Sequence, residues 1–305
     1  MKNRWLWIVI LILCMIPAGL FLTANIEPVG REPEVEAKAV VLIDADSGRI
    51  LFSRNGDTPL PPASMSKLMT ELLILDEIKA GHLNWDEGVV VNRHASHAKG
   101  VRLPLQEGDV LTVRELFQSL AVYSADDAAA ALAEHTAGSQ DRFIQEMNRK
   151  AKELGLSNQT FFQKKAGIAE TTMTAKDTAR LAAHLISQYP EVLNTSSKTQ
   201  IKLAGRDVYL SSSNWMLPSL AGPYSYEGTD GLKAGFSEQA GYCFTGTAEQ
   251  GGTRLIAVVL GADSREARFE ETRKLFDYGF TKSLTWKERL NHWFREDPVS
   301  AALSR

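Results

Sequence analysis

Cysteine is almost missing from this chain of 305 residues, which has only Cys14 and Cys243. Cys14 lies in an apolar stretch and Cys243 in a strand-like one, so no disulfide is expected and a disulfide-built scaffold is excluded. Net positive charge is also missing: 34 Lys and Arg stand against 37 Asp and Glu, a formal charge of -3. That balance gives no basic footprint for nucleic acid. Metal-ligand clusters are scarce as well. His94 and His97 are neighbours without a third ligand nearby, which reads as surface chemistry, so neither a metal nor any other cofactor is assigned.

A long apolar run does occur, from Trp5 to Ala24, behind Lys2 and Arg4 and ahead of Glu27, Glu32, Glu34 and Glu36. It reads as an export signal or membrane anchor, with the N-terminus inside and the remainder outside. About twenty apolar residues suffice to span a bilayer. Leu22-Thr23-Ala24 supplies only one of the two small residues a cleavage site needs, which favours an uncleaved anchor. Cys14 has no small residue before it, as a lipid-attachment signal would require.

The rest of the chain is long enough for a sizeable core. Residues 25–37 are polar, acidic and proline-bearing, as suits a tether, and folding is expected over 38–282. Ala39 to Ile43 and Arg49 to Phe52 read as a hairpin turning at Gly48. A buried helix follows from Lys67 towards Gly81, then a short strand at Val89 to Val91. Thr112-Val113-Arg114-Glu115 has the form of a capping box opening a helix through Leu116, Leu120 and Tyr123. Further helices are expected over Ala128 to Ala137, Asp141 to Leu154 and Thr174 to Ser187. After Pro190 strand patterns return: a hairpin over Lys198 to Leu210, then Gly231 to Ser237, Tyr242 to Thr247 and Arg254 to Leu260, with a final helix from Arg265 to Tyr278. Strands at both ends around a helical middle, about 95–188, predict an α+β fold, one sheet interrupted by a helical insertion. In the tail, 283–305, Trp286, Leu290, Trp293 and Phe294 share one helical face. That face suits a membrane surface or packing on the domain.

Chemistry concentrates at Ser64-Met65-Ser66-Lys67. Pro61 and Pro62 deliver extended chain to a sharp helix start. Lys67 is one turn beyond Ser64 on the same face, within reach of its hydroxyl proton. An amine serves as that base only when burial or nearby cations depress its pKa, and the N-terminal end of the helix favours a developing anion. A plainer reading also fits these residues: Ser64 caps a core helix and Lys67 snorkels to solvent. Ser124 could likewise be a helix cap, and Lys233 a solvated charge on an edge strand.

Taken together and in order, Ser64-Met65-Ser66-Lys67, Ser124-Ala125-Asp126 and Lys233-Ala234-Gly235 resemble the three signatures of penicillin-binding proteins and serine β-lactamases, most closely the low-molecular-weight serine D-alanyl-D-alanine carboxypeptidases. The resemblance covers roughly Glu36 to Lys282. It implies an antiparallel sheet flanked by helices and no cofactor. Ser64 would attack the penultimate D-alanine of peptidoglycan stem peptides, Lys67 would take its proton, and Ser124 would relay one to the departing amine. Lys233 would attract the terminal carboxylate, with Gly235 and Ser237 beside it, and the N–H groups of Ser64 and Phe236 would form the oxyanion hole. β-Lactams would inhibit, and the protein would work outside the cytoplasmic membrane or in the cell-wall space.

Two positions depart from the family pattern. Asp126 stands where asparagine is usual, and Ala234 where threonine or serine is usual. An ionised Asp126 only accepts hydrogen bonds; paired with Lys67 it would favour the ammonium and demand more alkaline conditions. Ala234 would remove a hydroxyl from the substrate carboxylate, a loss of about 1.5–3 kcal/mol. These departures motivate a second reading, a binding module for cell-wall peptides. A β-lactamase would need a dedicated carboxylate base, which no Asp or Glu can be assigned to.

Overall fold

In the computed structural model, which describes residues 32–163, 171–203 and 206–283, the sheet is built from both ends of the chain. Strand β1 (Ala39–Asp44) turns through Gly48, at φ 67°, into β2 (Ile50–Arg54). A left-handed turn of this kind favours glycine. On its other edge β1 pairs with β9 (Thr253–Ala262), near the chain's far end, with Ala39 opposite Leu260. The sheet order is β2-β1-β9-β8-β7, all antiparallel, where β8 is Gly241–Gln250 and β7 is Thr229–Ser237. β7 therefore forms one edge. Two small hairpins complete the strands: β3 (Gly88–Val90) with β4 (Val110–Thr112), and β5 (Gln200–Leu203) with β6 (Val208–Ser211).

Alternation along the strands sends side chains into two apolar layers. Ala39, Val41 and Ile43 join the layer under the helical part of the molecule, whereas Val40, Leu42 and Phe244 pack with Phe269 and Phe276 of the last helix, α6 (Ala267–Ser283). The helical layer contains α1 (Lys67–Lys79), α2 (Val113–Gln118), α3 (Asp126–Ala137), α4 (Gln140–Glu153) and α5 (Ala175–Gln188). α1 is buried continuously from Lys67 to Leu75. It reads as an unbroken run because sheet and helices cover it from several sides.

The Thr112 capping box forms, its hydroxyl accepting from Glu115 N–H while Glu115 accepts from Thr112 N–H at 2.8 Å. The helix it opens is shorter than expected. α2 ends at Gln118, and Ser119–Tyr123 is a wider π-type turn closing on Ser124 at φ 66°. The carbonyls of Leu120 and Ala121 in that turn accept from the Lys233 ammonium, in place of the backbone N–H donors that a regular helix would have supplied. Glu34–Phe280 pack as one compact unit. Val35 is already buried and Glu36 N–H donates to Glu271, so residues ahead of Lys38 already pack with the domain. Among the described residues no helix is long and apolar enough to cross a membrane; the expected N-terminal anchor and the amphipathic tail lie outside them.

Candidate active site

Pro62 leads into Ala63, at φ 47°, and a tight 3-10 turn from Ala63 to Ser66 feeds α1. The turn is fixed by Met65 N–H donating to Pro62 O at 2.9 Å. Ser64 sits in it, half-buried, and Lys67 is the first residue of the α-helix behind it. Lys67 Nζ lies 3.5 Å from Ser64 Oγ and 3.4 Å from Ser124 Oγ, and donates to Ser124 O at 2.6 Å. Three elements thus bring two hydroxyls to one amine. The left-handed bend at Ser124 is what turns its backbone and side chain back towards α1.

Asp126 opens α3 and binds from both oxygens. Oδ1 pairs with Lys67 Nζ at 2.8 Å, and Oδ2 accepts from Val101 N–H at 2.9 Å, while its own N–H donates to Val101 O at 2.7 Å. Both oxygens meet donors, which suits a carboxylate better than an amide. The pairing with Lys67 matches the reading from sequence, but the electrical outcome is different. Burial lowers the Lys67 pKa by more than the Asp126 charge raises it, and the Lys233 charge pushes the same way as burial, so the amine lies below the ordinary lysine range. The free base is easier to reach than in an exposed lysine, despite the carboxylate neighbour.

β7 runs against Ser64. A Cβ at Gly235 would come within 2.7 Å of Ser64 N, so only glycine allows this close approach. Lys233, two residues earlier on the same face, departs from its expected role. Its side chain is fully buried and its three N–H groups find Glu71 Oε1 at 3.0 Å, Ala121 O at 3.3 Å and Leu120 O. A cation held this way has no proton left for a substrate carboxylate. Ala234 faces the opposite side of the sheet, packed in the layer of Phe244 and Phe269. Phe236 is half exposed with its ring 4.4 Å from that of Tyr242, and Ser237 Oγ accepts from Ala240 N–H.

Residues 27–264 match the peptidase S11 family, described as D-alanyl-D-alanine carboxypeptidase. The chain belongs to this family. It is 34% identical over 252 residues to D-alanyl-D-alanine carboxypeptidase DacF of Bacillus subtilis, covering 81% of this chain and 63% of the relative. It is 36% identical over 261 residues to DacC of Escherichia coli, covering 81% and 62%. The chain therefore spans less than two thirds of the length of either. Among solved structures, penicillin-binding protein D2 of Listeria monocytogenes in its ampicillin-bound form shares 37% identity with a TM-score of 0.73, covering 82% of this chain and 99% of that one. The mixed helix and antiparallel-sheet fold is that of this penicillin-binding group.

Within the family frame, two side chains near the site escaped the reading of the sequence. Glu71 is buried at 2% exposure. Its place was legible in principle, since it follows Lys67 by four residues and so shares its helical face. Arg268 of α6 is buried too, donates from Nη1 to Gly235 O at 3.0 Å, and leaves its Nε–H without an acceptor among the described residues. Burial, with help from the Arg265 charge, brings its pKa down to about 10. Nothing in the local sequence marks it, because it comes from a distant helix. His94 pairs with Glu134 at 2.7 Å, and His97 Nδ1 lies 2.8 Å from Arg93 O.

Proposed function

We propose that this protein is a serine D-alanyl-D-alanine carboxypeptidase that removes the terminal D-alanine from peptidoglycan stem peptides. The observation that carries this is one buried, pKa-lowered amine, Lys67, within 3.5 Å of two hydroxyls, those of Ser64 and Ser124. Ser64 Oγ forms a bond to the carbonyl carbon of the penultimate D-alanine as its proton passes to Lys67 Nζ. When the tetrahedral intermediate collapses, the peptide C–N bond breaks and the amine of the terminal D-alanine takes a proton through Ser124. The N–H groups of Ser64 and Phe236 stabilise the oxyanion, each worth about 3 kcal/mol. Water then attacks the ester and returns Ser64 to its hydroxyl form.

Lys233 serves this scheme as a fixed cation beneath the site. Arg268 is the better candidate for the terminal carboxylate, since it reaches β7 at Gly235 and its Nε–H has no acceptor among the described residues. A substrate lying along the free edge of β7 would present its terminus there. β-Lactams are expected to acylate Ser64, a reading supported by the similarity to penicillin-binding protein D2, which was solved with ampicillin bound. Action on the cell wall implies a place outside the cytoplasm, with the Trp5 to Ala24 segment as anchor and the tail as a possible second membrane contact. The binding-module reading has less support, because the nucleophile, its base and the relay hydroxyl are all assembled. Incubating the protein with a pentapeptide ending in D-alanyl-D-alanine should release free D-alanine. No release from neutral to alkaline pH would overturn the proposal.

A further inference from the structure

The turn that presents Ser124 is held from below. Ser119–Tyr123 is a π-type turn, and such a widened turn leaves carbonyls to be satisfied by donors outside it. Those of Leu120 and Ala121 both accept from Lys233 Nζ. Lys67 Nζ donates to the carbonyl just beyond the turn, Ser124 O, at 2.6 Å. Two lysine side chains therefore meet the carbonyls of this turn and of the residue that closes it. Lys233 can be there only with a counter-charge, because an unpaired buried cation is strongly disfavoured. Glu71 provides it at 3.0 Å, itself buried and projecting from the helix that begins with Lys67, directly after the turn that holds Ser64.

We propose that Glu71 is a positioning residue for acyl transfer: it holds Lys233 against the Ser119–Tyr123 turn, so placing Ser124, and screens the Lys233 charge from Lys67. The inference rests on the acyl-enzyme reading above. The charged groups acting on Lys67 are Glu71 from its own helix, Asp126 from α3 and Lys233 from β7. Asp127, next along α3, is turned to Leu103 N–H instead. Glu71 and Asp126 favour the ammonium, whereas Lys233 favours the free amine. Neutralising Glu71 leaves Lys233 unscreened. It also loosens the hold on the turn.

The test is the rate of Ser64 acylation by a fluorescent penicillin as a function of pH, on protein shown to be folded by near-ultraviolet circular dichroism. In Glu71→Gln the acid limb should move to lower pH, while the plateau rate falls by about tenfold or more as Ser124 loses its placement. Glu71→Asp keeps the charge but is shorter. Its acid limb should stay with the wild type and its plateau should fall. A folded Glu71→Gln protein with the wild-type profile and plateau would overturn the proposal. Should Glu71→Gln fail to fold, Glu71→Asp decides: a wild-type plateau in that variant refutes the positioning role, and a lowered plateau with an unmoved acid limb supports it. Wild-type acylation separates the two readings, because its absence would remove the acyl-enzyme scheme itself, whereas its presence beside an unaffected variant would remove only the role of Glu71.

Discussion

At Lys67 burial and charge pull in opposite directions, and burial wins. The amine is kept below its ordinary range even though Asp126 lies 2.8 Å away. Asp126 still acts as a brake, because its charge favours the ammonium. In Asp126→Asn the amide oxygen can take the Val101 N–H, and the amide N–H then faces Lys67, where only an unprotonated amine can accept. The sign follows: losing the carboxylate lowers the Lys67 pKa further, so the free base appears at lower pH. Acylation near neutral pH should rise by roughly tenfold for each pH unit by which the acid limb moves. Stopped-flow acylation across pH checks this, and an unchanged or slower rate would refute it. At this scale the three sequence signatures located Ser64, Lys67, Ser124, Asp126 and Lys233. They could not reveal where Lys233 points, since its partners Glu71, Leu120 and Ala121 lie on other elements.

Among the elements, those with a local signal were the legible ones. The Gly48 turn, the Thr112 capping box and the Thr174 cap of α5 all form as their residues suggest. The π-type turn was not legible, because the residues from Ser119 to Tyr123 carry a good helical pattern and the donor its carbonyls meet is a lysine more than a hundred positions away. The α5 terminus also does more than its cap signal indicates. Asp177 is buried at 1% exposure and accepts from Ser157 N–H, Ser157 Oγ and Thr160 Oγ, tying the helix to the preceding loop. Burial pushes its carboxyl up, but these hydrogen bonds outweigh burial and hold it below the usual 3.8. A carboxyl lowered on folding contributes stability that is complete above its unfolded value and lost as pH falls through the folded one. Asp177→Asn should therefore destabilise by about 2–3 kcal/mol at neutral pH. In urea melts the deficit should persist down to about pH 4 and shrink only below it. A deficit already gone at pH 5 would contradict the assignment.

Over the whole molecule the site lies where two layers meet. The 3-10 turn brings Ser64, α1 behind it brings Lys67 and Glu71, the helical side brings Ser124 and Asp126, and the edge strand β7 brings Gly235 and Lys233. The general order of strands, helices and strands was readable from hydrophobic periodicity, since each segment repeats its own pattern. The strand order was not, because pairing β1 with β9 joins residues over two hundred positions apart. The account as a whole depends on Ser64 being the activated nucleophile of this junction. Intact-protein mass spectrometry after incubation with a fluorescent penicillin tests that most directly. The prediction is one covalent adduct, mapping to Ser64 and lost in Ser64→Ala; an unmodified protein, or an adduct on any other residue, would contradict it.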